Sequence, residues 1–323
     1  MRERATPVSH RERPSGAGPR SVPKRLAGRA RSSARRVGVR GLAAASARLG
    51  YRIVEDGFYS PLPDLSALPP EDLRSAMHGI AFDPGAQLRY LTEVLGPYLG
   101  ELHVPDSGEP GELYLRNGFY EAGDAETLYA IIRARRPARV LELGSGFSTQ
   151  IIARAIAANG SGSHHVFDPY ARPQIDALAG VSRRSAAEIE DEEFARLEAG
   201  DVLFVDSTHV AKIGSEVNRV VLDALPLLAP GVAVHFHDVF LPWDYPHGFF
   251  TRLGMYLNEQ YLLQAFLAMN PSYRILLALS AIGRLHPQEI AHLIPSVRDG
   301  AAPGAFWIER TEAAAPGRAA NRH

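Results

Sequence analysis

Residues 139–149 read Arg-Val-Leu-Glu-Leu-Gly-Ser-Gly-Phe-Ser-Thr, and this stretch decides the fold. Arg139 to Leu143 form a short apolar run of the length of a buried strand, and two glycines then break it. Gly144 and Gly146 let the backbone pass close to a ligand. A helix opening near Ser148 would aim its first amide N–H groups at the same spot, which favours an anionic group. The same texture repeats downstream. Apolar strand candidates are 164–168 (HHVFD), 202–206 (VLFVD), 232–237 (VAVHFH), 273–279 (YRILLAL) and 305–309 (AFWIE). Helical stretches lie at 148–158, 171–179, 186–198, 211–227 and 257–269. Such alternation predicts an α/β domain, a mostly parallel sheet with helices on both faces. The last two strand candidates lack a strong crossover helix between them and are expected to form an antiparallel pair at one edge.

In sheets of this kind, ligands bind at the carboxyl ends of the strands. The residues that end each strand are therefore the informative ones. The first strand runs into Glu142, Gly144, Ser145, Gly146, Phe147, Ser148 and Thr149. The second ends on Asp168, 22 residues past Gly146, where a carboxylate can accept hydrogen bonds from ribose hydroxyls. The run 202–206 ends on Asp206 with His209 three residues on, and 232–237 ends on His237 followed by Asp238. A dinucleotide fingerprint would want glycine at 149, where this chain has threonine.

The 323 residues contain no cysteine, and their formal net charge is −1. This excludes disulfides, thiolate metal sites and a cysteine nucleophile. The near-zero charge hides an asymmetry. Residues 1–41 hold twelve Lys and Arg against Glu3 and Glu12, a net +10, so the remainder carries −11. The basic tail lacks aliphatic runs and cannot bury enough surface to offset its ordering entropy. Its composition also permits an arm for nucleic acid or an anionic membrane, or a transit peptide. The acidic remainder argues against nucleic acid as the main partner. No uninterrupted apolar run is long enough for a membrane span, and a cytoplasmic location is expected.

Residues 42–115 are punctuated by prolines at 61, 63, 69, 70, 84, 97, 105 and 110. Helices are expected across 71–79 and across 85–99, where Leu88, Leu91, Leu95 and Leu99 recur at helical spacing. Asp124 reads as an N-cap, with Ala125, Leu128, Tyr129 and Ile132 on one helical face. The chain thus divides into a disordered basic tail (1–41), an N-terminal helical extension (42–115), the main domain (116–310) and a flexible C-terminal tail (311–323).

RVLELGSGFST, FDPY, DVLFVDSTHV, LLAPGVAVHFHDVFLPWDYP and NEQYLLQAFL together resemble class I S-adenosylmethionine-dependent methyltransferases, within the branch of sugar and antibiotic O-methyltransferases. Upstream, FYSPLPDL and YLRNGFYEAGDAETLYAIIR fit the same resemblance, which covers about residues 110–310. It implies a Rossmann-like, seven-stranded sheet and S-adenosylmethionine as cofactor. It implies that Glu142 lies near the methionine amino group, that Gly144 to Thr149 wrap the methionine and ribose, and that Asp168 binds the ribose diol. Asp206 would lie near the transferred methyl and the acceptor. The family's common third glycine is Ser148 here.

Methyl transfer from a sulfonium needs alignment above all, and a hydroxyl acceptor needs a base or a metal to deal with its proton. Asp206, His209, His237 and Asp238 are the candidates. Two versions stay open. In one, His209 is a general base oriented by Asp206 or Asp238, titrating near 6.5 as an ordinary imidazole does. In the other, Asp206 and Asp238 hold Mg²⁺. Trp243 and Tyr245 are expected to wall a pocket for a small-molecule or glycan acceptor, and Glu259 to reach into it. Two competing functions remain: a metal-dependent oxygenase using His209, His237 and Asp238, and a non-catalytic binding protein on the same fold.

Overall fold

A computed structural model describes residues 41–43, 45–53, 58–109, 111–297 and 303–312. The chain divides into two compact units, Met1–Pro63 and Asp64–His323. In the first, residues 45–48 are helical, and the exposed Phe58 and Tyr59 rings meet edge to face at 5.0 Å. Residues 1–40 of the basic tail and residues 313–323 lie outside the described residues.

The second unit is built on one seven-stranded sheet. Its strands are β1 (Arg139–Leu143), β2 (Ser163–Phe167), β3 (Gly180–Ser182), β4 (Val202–Val205), β5 (Ala233–Phe236), β6 (Tyr273–Ala278) and β7 (Phe306–Arg310). They lie in the order β3-β2-β1-β4-β5-β7-β6. Strands β1 to β5 pair in parallel, while β7 runs antiparallel to both β5 and β6. The helices that matter for the site are α1 (Pro84–Arg89, continued by a π-helical segment Tyr90–Leu95 and by Gly96–Leu99), α2 (Asp124–Arg135), α3 (Phe147–Asn159), α4 (Glu216–Asn218, π-helical Arg219–Ala224, Leu225–Leu227), α5 (Glu259–Leu267) and α6 (Leu279–Leu285).

Alternation along the strands fills a core on each face. Leu141, Leu143, Leu203, Val205, Val234, Phe236 and Ile308 belong to one buried cluster. Val140, Val202, Phe204, Ala233 and Trp307 belong to the other, with Leu128 and Ile131 of α2 and Ile151 and Ile152 of α3. The strands read as continuous apolar runs because both faces are covered. Each fully buried Leu, Val or Phe contributes about 1.5–3 kcal/mol.

The structure departs from the sequence reading at several places. The helix expected over 171–179 is a 3₁₀ segment, Pro173–Ala177, and that over 186–198 is a 3₁₀ segment, Ala186–Glu188, and a short helix, Asp191–Ala195. Strand β3 was not expected; three residues opening on Gly180 are too short to show a period. No helix covers 71–79. Instead Arg74 forms an isolated bridge with Trp243, and Ser75 N–H donates to Pro242 O at 2.7 Å, so the stretch is held extended by a neighbouring loop. Asp124 is not the N-cap of α2 but its first residue, behind Gly123. Glu126 takes the capping role, accepting from Gly123 N–H at 2.7 Å. That frees Asp124 to reach across the fold, where its carboxylate accepts from Gly304 N–H at 3.0 Å and Ala305 N–H at 2.8 Å. Those two donors feed into β7. Asp124→Ala orphans both buried donors, so we expect a loss of about 1–3 kcal/mol per donor, read as a lower urea midpoint with an unchanged slope.

Candidate functional site

The strand order reverses between β1 and β4, and the carboxyl ends of these two strands form the crevice where a ligand binds in such sheets. Gly144 sits at the junction with φ +89°. A Cβ there would lie 2.0 Å from the carbonyl oxygen of Asp206, so only glycine lets the β1 turn pass β4 this closely. Asp206 N–H donates back to Leu143 O at 3.0 Å. The turn is braced from inside. Thr149 Oγ1 accepts from Gly146 N–H at 3.0 Å, and Ser148 Oγ donates to Glu142 at 2.6 Å. Ser148 and Thr149 are buried, whereas Gly144, Ser145, Gly146 and Phe147 stand at the half-exposed lip.

Asp168 stands at that lip. It accepts from Ser145 Oγ at 2.5 Å and from Tyr170 N–H at 2.7 Å. Glu142 is placed differently from what was expected of it. It is fully buried, and its second oxygen bonds His164 Nε2 at 2.7 Å. It lies on the α3 face of β1, beneath the turn, and buttresses the loop from below.

Beside the turn, the ends of β4 and β5 bring Asp206, His209, His237 and Asp238 together. His209 Nε2 lies 3.3 Å from Asp206 Oδ1 and 3.9 Å from Asp238 Oδ2. His237 Nδ1 lies 3.7 Å from the same Asp206 oxygen, and its Nε2 lies 3.5 Å from Asp124. His209 and Asp238 both adopt left-handed backbone, with φ +57° and +53°. Such strain is uncommon outside glycine and turns these side chains inward. The histidine side chains are only 8% and 7% exposed, but those of Asp206 and Asp238 remain 31% and 22% exposed. The carboxylates are therefore the more open groups of the cluster, with His209 Nε2 set between them.

The charges are strongly coupled. Burial alone would lower the His209 pKa, but hydrogen bonds to Asp206 and Glu259 and their charges outweigh it and hold the imidazole proton up to about 10. His237 is raised in the same way, burial being outweighed by Asp206 and Asp124. Burial would raise Asp206, but the His237 charge and bonds from both histidines hold it well below the carboxylate range. Asp238 is raised, by burial. The titration near 6.5 expected for His209 is thus displaced upward by its carboxylate neighbours.

These donors do not fit a metal. Among the described residues, no group of three or more His, Asp or Glu side chains is arranged to hold one. Asp206 Oδ1 already serves both imidazoles. This arrangement gives no support to the Mg²⁺ reading of Asp206 with Asp238 or to the oxygenase reading of His209, His237 and Asp238.

The residues expected to wall an acceptor pocket do not stand open. Tyr245 is 1% exposed and packs with Phe240 and Leu257, its hydroxyl accepting from Gln260 N–H at 3.0 Å. Trp243 is half-buried, with the Arg74 and Arg284 guanidinium carbons 5.5 and 4.9 Å from its ring. Glu259 is 1% exposed and bonds His209 Nδ1 at 2.9 Å. The open aromatic at the turn is Phe119, 77% exposed and stacked on Phe147 at 6.4 Å. Its neighbour Tyr120 is buried against His237, ring centroids 4.8 Å apart. Asn117 locks this loop, donating to Tyr114 O and Tyr120 O and accepting from Phe119 and Tyr120 N–H. The sequence marked the stretch 114–133 by its resemblance, but no pattern in it singled out Phe119, Tyr120 or the reach of Asp124; only the fold brings them here.

Residues 141–239, which run from β1 past the end of β5, match the family model described as "Methyltransferase domain". That stretch of the chain is therefore similar to a methyltransferase domain. A curated protein of Archaeoglobus fulgidus, described only as uncharacterized, is 32% identical over 104 residues. The matched stretch is 29% of this chain and 47% of that protein, so the chain spans about half the length of this relative. Among solved structures, the O-methyltransferase from Bacillus cereus in complex with SAH aligns with 72% of this chain and 93% of its own, at 13% identity and a TM-score of 0.36. The 1,6-didemethyltoxoflavin-N1-methyltransferase of Burkholderia thailandensis aligns with 61% and 82%, at 13% identity and a TM-score of 0.37. Likeness of this degree says nothing about the acceptor.

In this methyltransferase domain the junction of Gly144 with Asp206 is the constraint most exposed to a single methyl group. Gly144→Ala must push β1 and β4 apart, because the obstacle is backbone. We expect a loss of about 1–3 kcal/mol together with weakened S-adenosylhomocysteine binding, both followed by thermal shift with and without that ligand.

Proposed function

We propose that the protein uses its methyltransferase domain to transfer a methyl group from S-adenosylmethionine to a hydroxyl of a small molecule or glycan. The observation that carries this reading is the convergence of the Gly144–Gly146 turn and Asp168 on one side of the crevice with the Asp206–His209–Asp238 group on the other. When bound, S-adenosylmethionine supplies an electrophilic methyl group. Gly144, Ser145 and Gly146 bring backbone close to it, and Asp168 accepts hydrogen bonds from the ribose diol. Asp206 and Asp238 present the open, anionic face on which an acceptor hydroxyl rests its hydrogen. His209 Nε2, lying between these carboxylates, takes the proton once it has lost its own. Phe119 would flank the acceptor.

The direct test is incubation of the purified protein with methyl-labelled donor and a panel of hydroxylated metabolites and glycans, with the product bond assigned by NMR. Label on nitrogen only would overturn the hydroxyl reading, and no binding of donor or S-adenosylhomocysteine would overturn the whole. For the cofactor, Asp168→Ala should weaken S-adenosylhomocysteine by about 1.5–3 kcal/mol, the worth of hydrogen bonds to a charged group. Unchanged affinity by calorimetry would remove the ribose assignment.

For the proton, the pKa of His209 sets the sign. Below about 10 the imidazole holds its proton and is blocked as a base. The kcat/KM of the free enzyme should therefore climb with pH through the alkaline range and level only as that value is approached. His209→Asn should lose this limb and about 10²–10⁴-fold in turnover, while S-adenosylhomocysteine affinity stays near normal. A limb near 6.5 would show that His209 is not held by its carboxylates.

A further inference from the structure

The start of α5 is wired to the catalytic loops at three successive residues. Asn258 Oδ1 accepts from Ala211 N–H at 2.6 Å. The Asn258 and Glu259 N–H groups both donate to the carbonyl of His209, at 3.0 and 3.1 Å. Gln260 Oε1 accepts from Phe240 N–H at 3.0 Å. In the middle, Glu259 Oε2 accepts from His209 Nδ1 at 2.9 Å. Glu259 is 1% exposed, and its other oxygen is buried with no partner. A carboxylate this deep, with one oxygen left unsatisfied, costs free energy and is retained only where something else depends on it.

His209 has two ring nitrogens with unequal partners. Nδ1 faces a buried carboxylate at 2.9 Å, and Nε2 faces the half-open Asp206 at 3.3 Å. The shorter, drier bond keeps its proton. The nitrogen that opens its lone pair is therefore Nε2, the one directed at Asp206 and Asp238. The same helix start grips the His209 carbonyl, in the left-handed backbone that turns the ring inward. Backbone and ring are thus set by one element.

We infer that Glu259 is a positioning residue for methyl transfer: it fixes the Nδ1–H form and the orientation of His209, so that Nε2 meets the acceptor hydroxyl. The inference rests on the proposed role of His209. It assigns Glu259 to the proton path and takes it out of the acceptor pocket. It adds no covalent step; the proton leaves the acceptor oxygen for Nε2, and the Nδ1 proton stays on the imidazole throughout.

The test compares Glu259→Gln, which keeps the shape and loses the obligate acceptor, with Glu259→Leu, which removes the oxygen. We expect kcat to fall by about 10²-fold in the leucine variant and less in glutamine. Acceptor KM and S-adenosylhomocysteine affinity should stay within about twofold of normal. The deciding measurement is the double variant with His209→Asn. If Glu259 acts through His209, adding Glu259→Leu to His209→Asn lowers kcat no further. Independent, multiplicative losses would overturn the inference, as would normal kcat in both single variants. If neither single variant folds, Glu259 is structural and the inference falls as well. Loss of S-adenosylhomocysteine binding by the unaltered protein would instead refute the methyltransferase reading itself, so the two failures are told apart.

Discussion

The approach of the β1 turn to the end of β4 is the constraint on which the rest depends. With Gly144 at φ +89° and a would-be Cβ 2.0 Å from Asp206 O, the two strand ends touch through backbone alone. That contact sets how far Asp206 stands from the turn. It also starts α3 where Gly146, Phe147 and the braces Ser148 and Thr149 can close the loop. Strand order then does the remaining work. Since β1 feeds β2 on one side and β4 takes the other, the strand order reverses at this point, and the crossovers on either side leave a crevice there.

The second feature is a continuous run of charges, Asp124–His237–Asp206–His209–Glu259, with neighbours 2.9–3.7 Å apart. Buried ion pairs add little net stability, because desolvation cancels much of the attraction. Removing one member is another matter, since a charge stranded in the interior costs about 3–5 kcal/mol. Such a chain makes its members mutually dependent. It also explains the divergent fates of three nearby histidines. His235, stacked between Phe204 and Trp307, is pushed by burial and by the His237 charge well below an ordinary imidazole. His209 and His237, lined by carboxylates, are pushed up. Residue type is the same; the neighbours decide the charge.

Both ends of this run are anchored in distant parts of the chain. Asp124 ties the start of α2 to the backbone entering β7, and Glu259 ties the start of α5 to the loop after β4. Helix starts are apt for this, since their first residues carry free N–H groups and side chains that need not face the core. The geometry of the candidate site is consequently a property of the whole sheet and two helices rather than of one motif.

The sequence by itself determined the alternation of strands and helices, the glycine turn, and which acids and histidines end which strands. These are local properties, written in the period of apolar residues and in the conformational freedom of glycine. Its motifs also carried the resemblance to methyltransferases over about residues 110–310, within which 141–239 match the family model. Tertiary structure alone decided the rest. β3 was too short to show a period. Within 71–79, Arg74 and Ser75 were taken up by a loop nearly 170 residues away in sequence, at Pro242 and Trp243. Tyr245 and Glu259, whose types suit a pocket, were buried, and Asp124 and Tyr120 were brought to the cluster from α2 and the loop before it. A side chain's charge and exposure depend on which segments fold against it, and that is fixed only when strands distant in sequence become neighbours in the sheet.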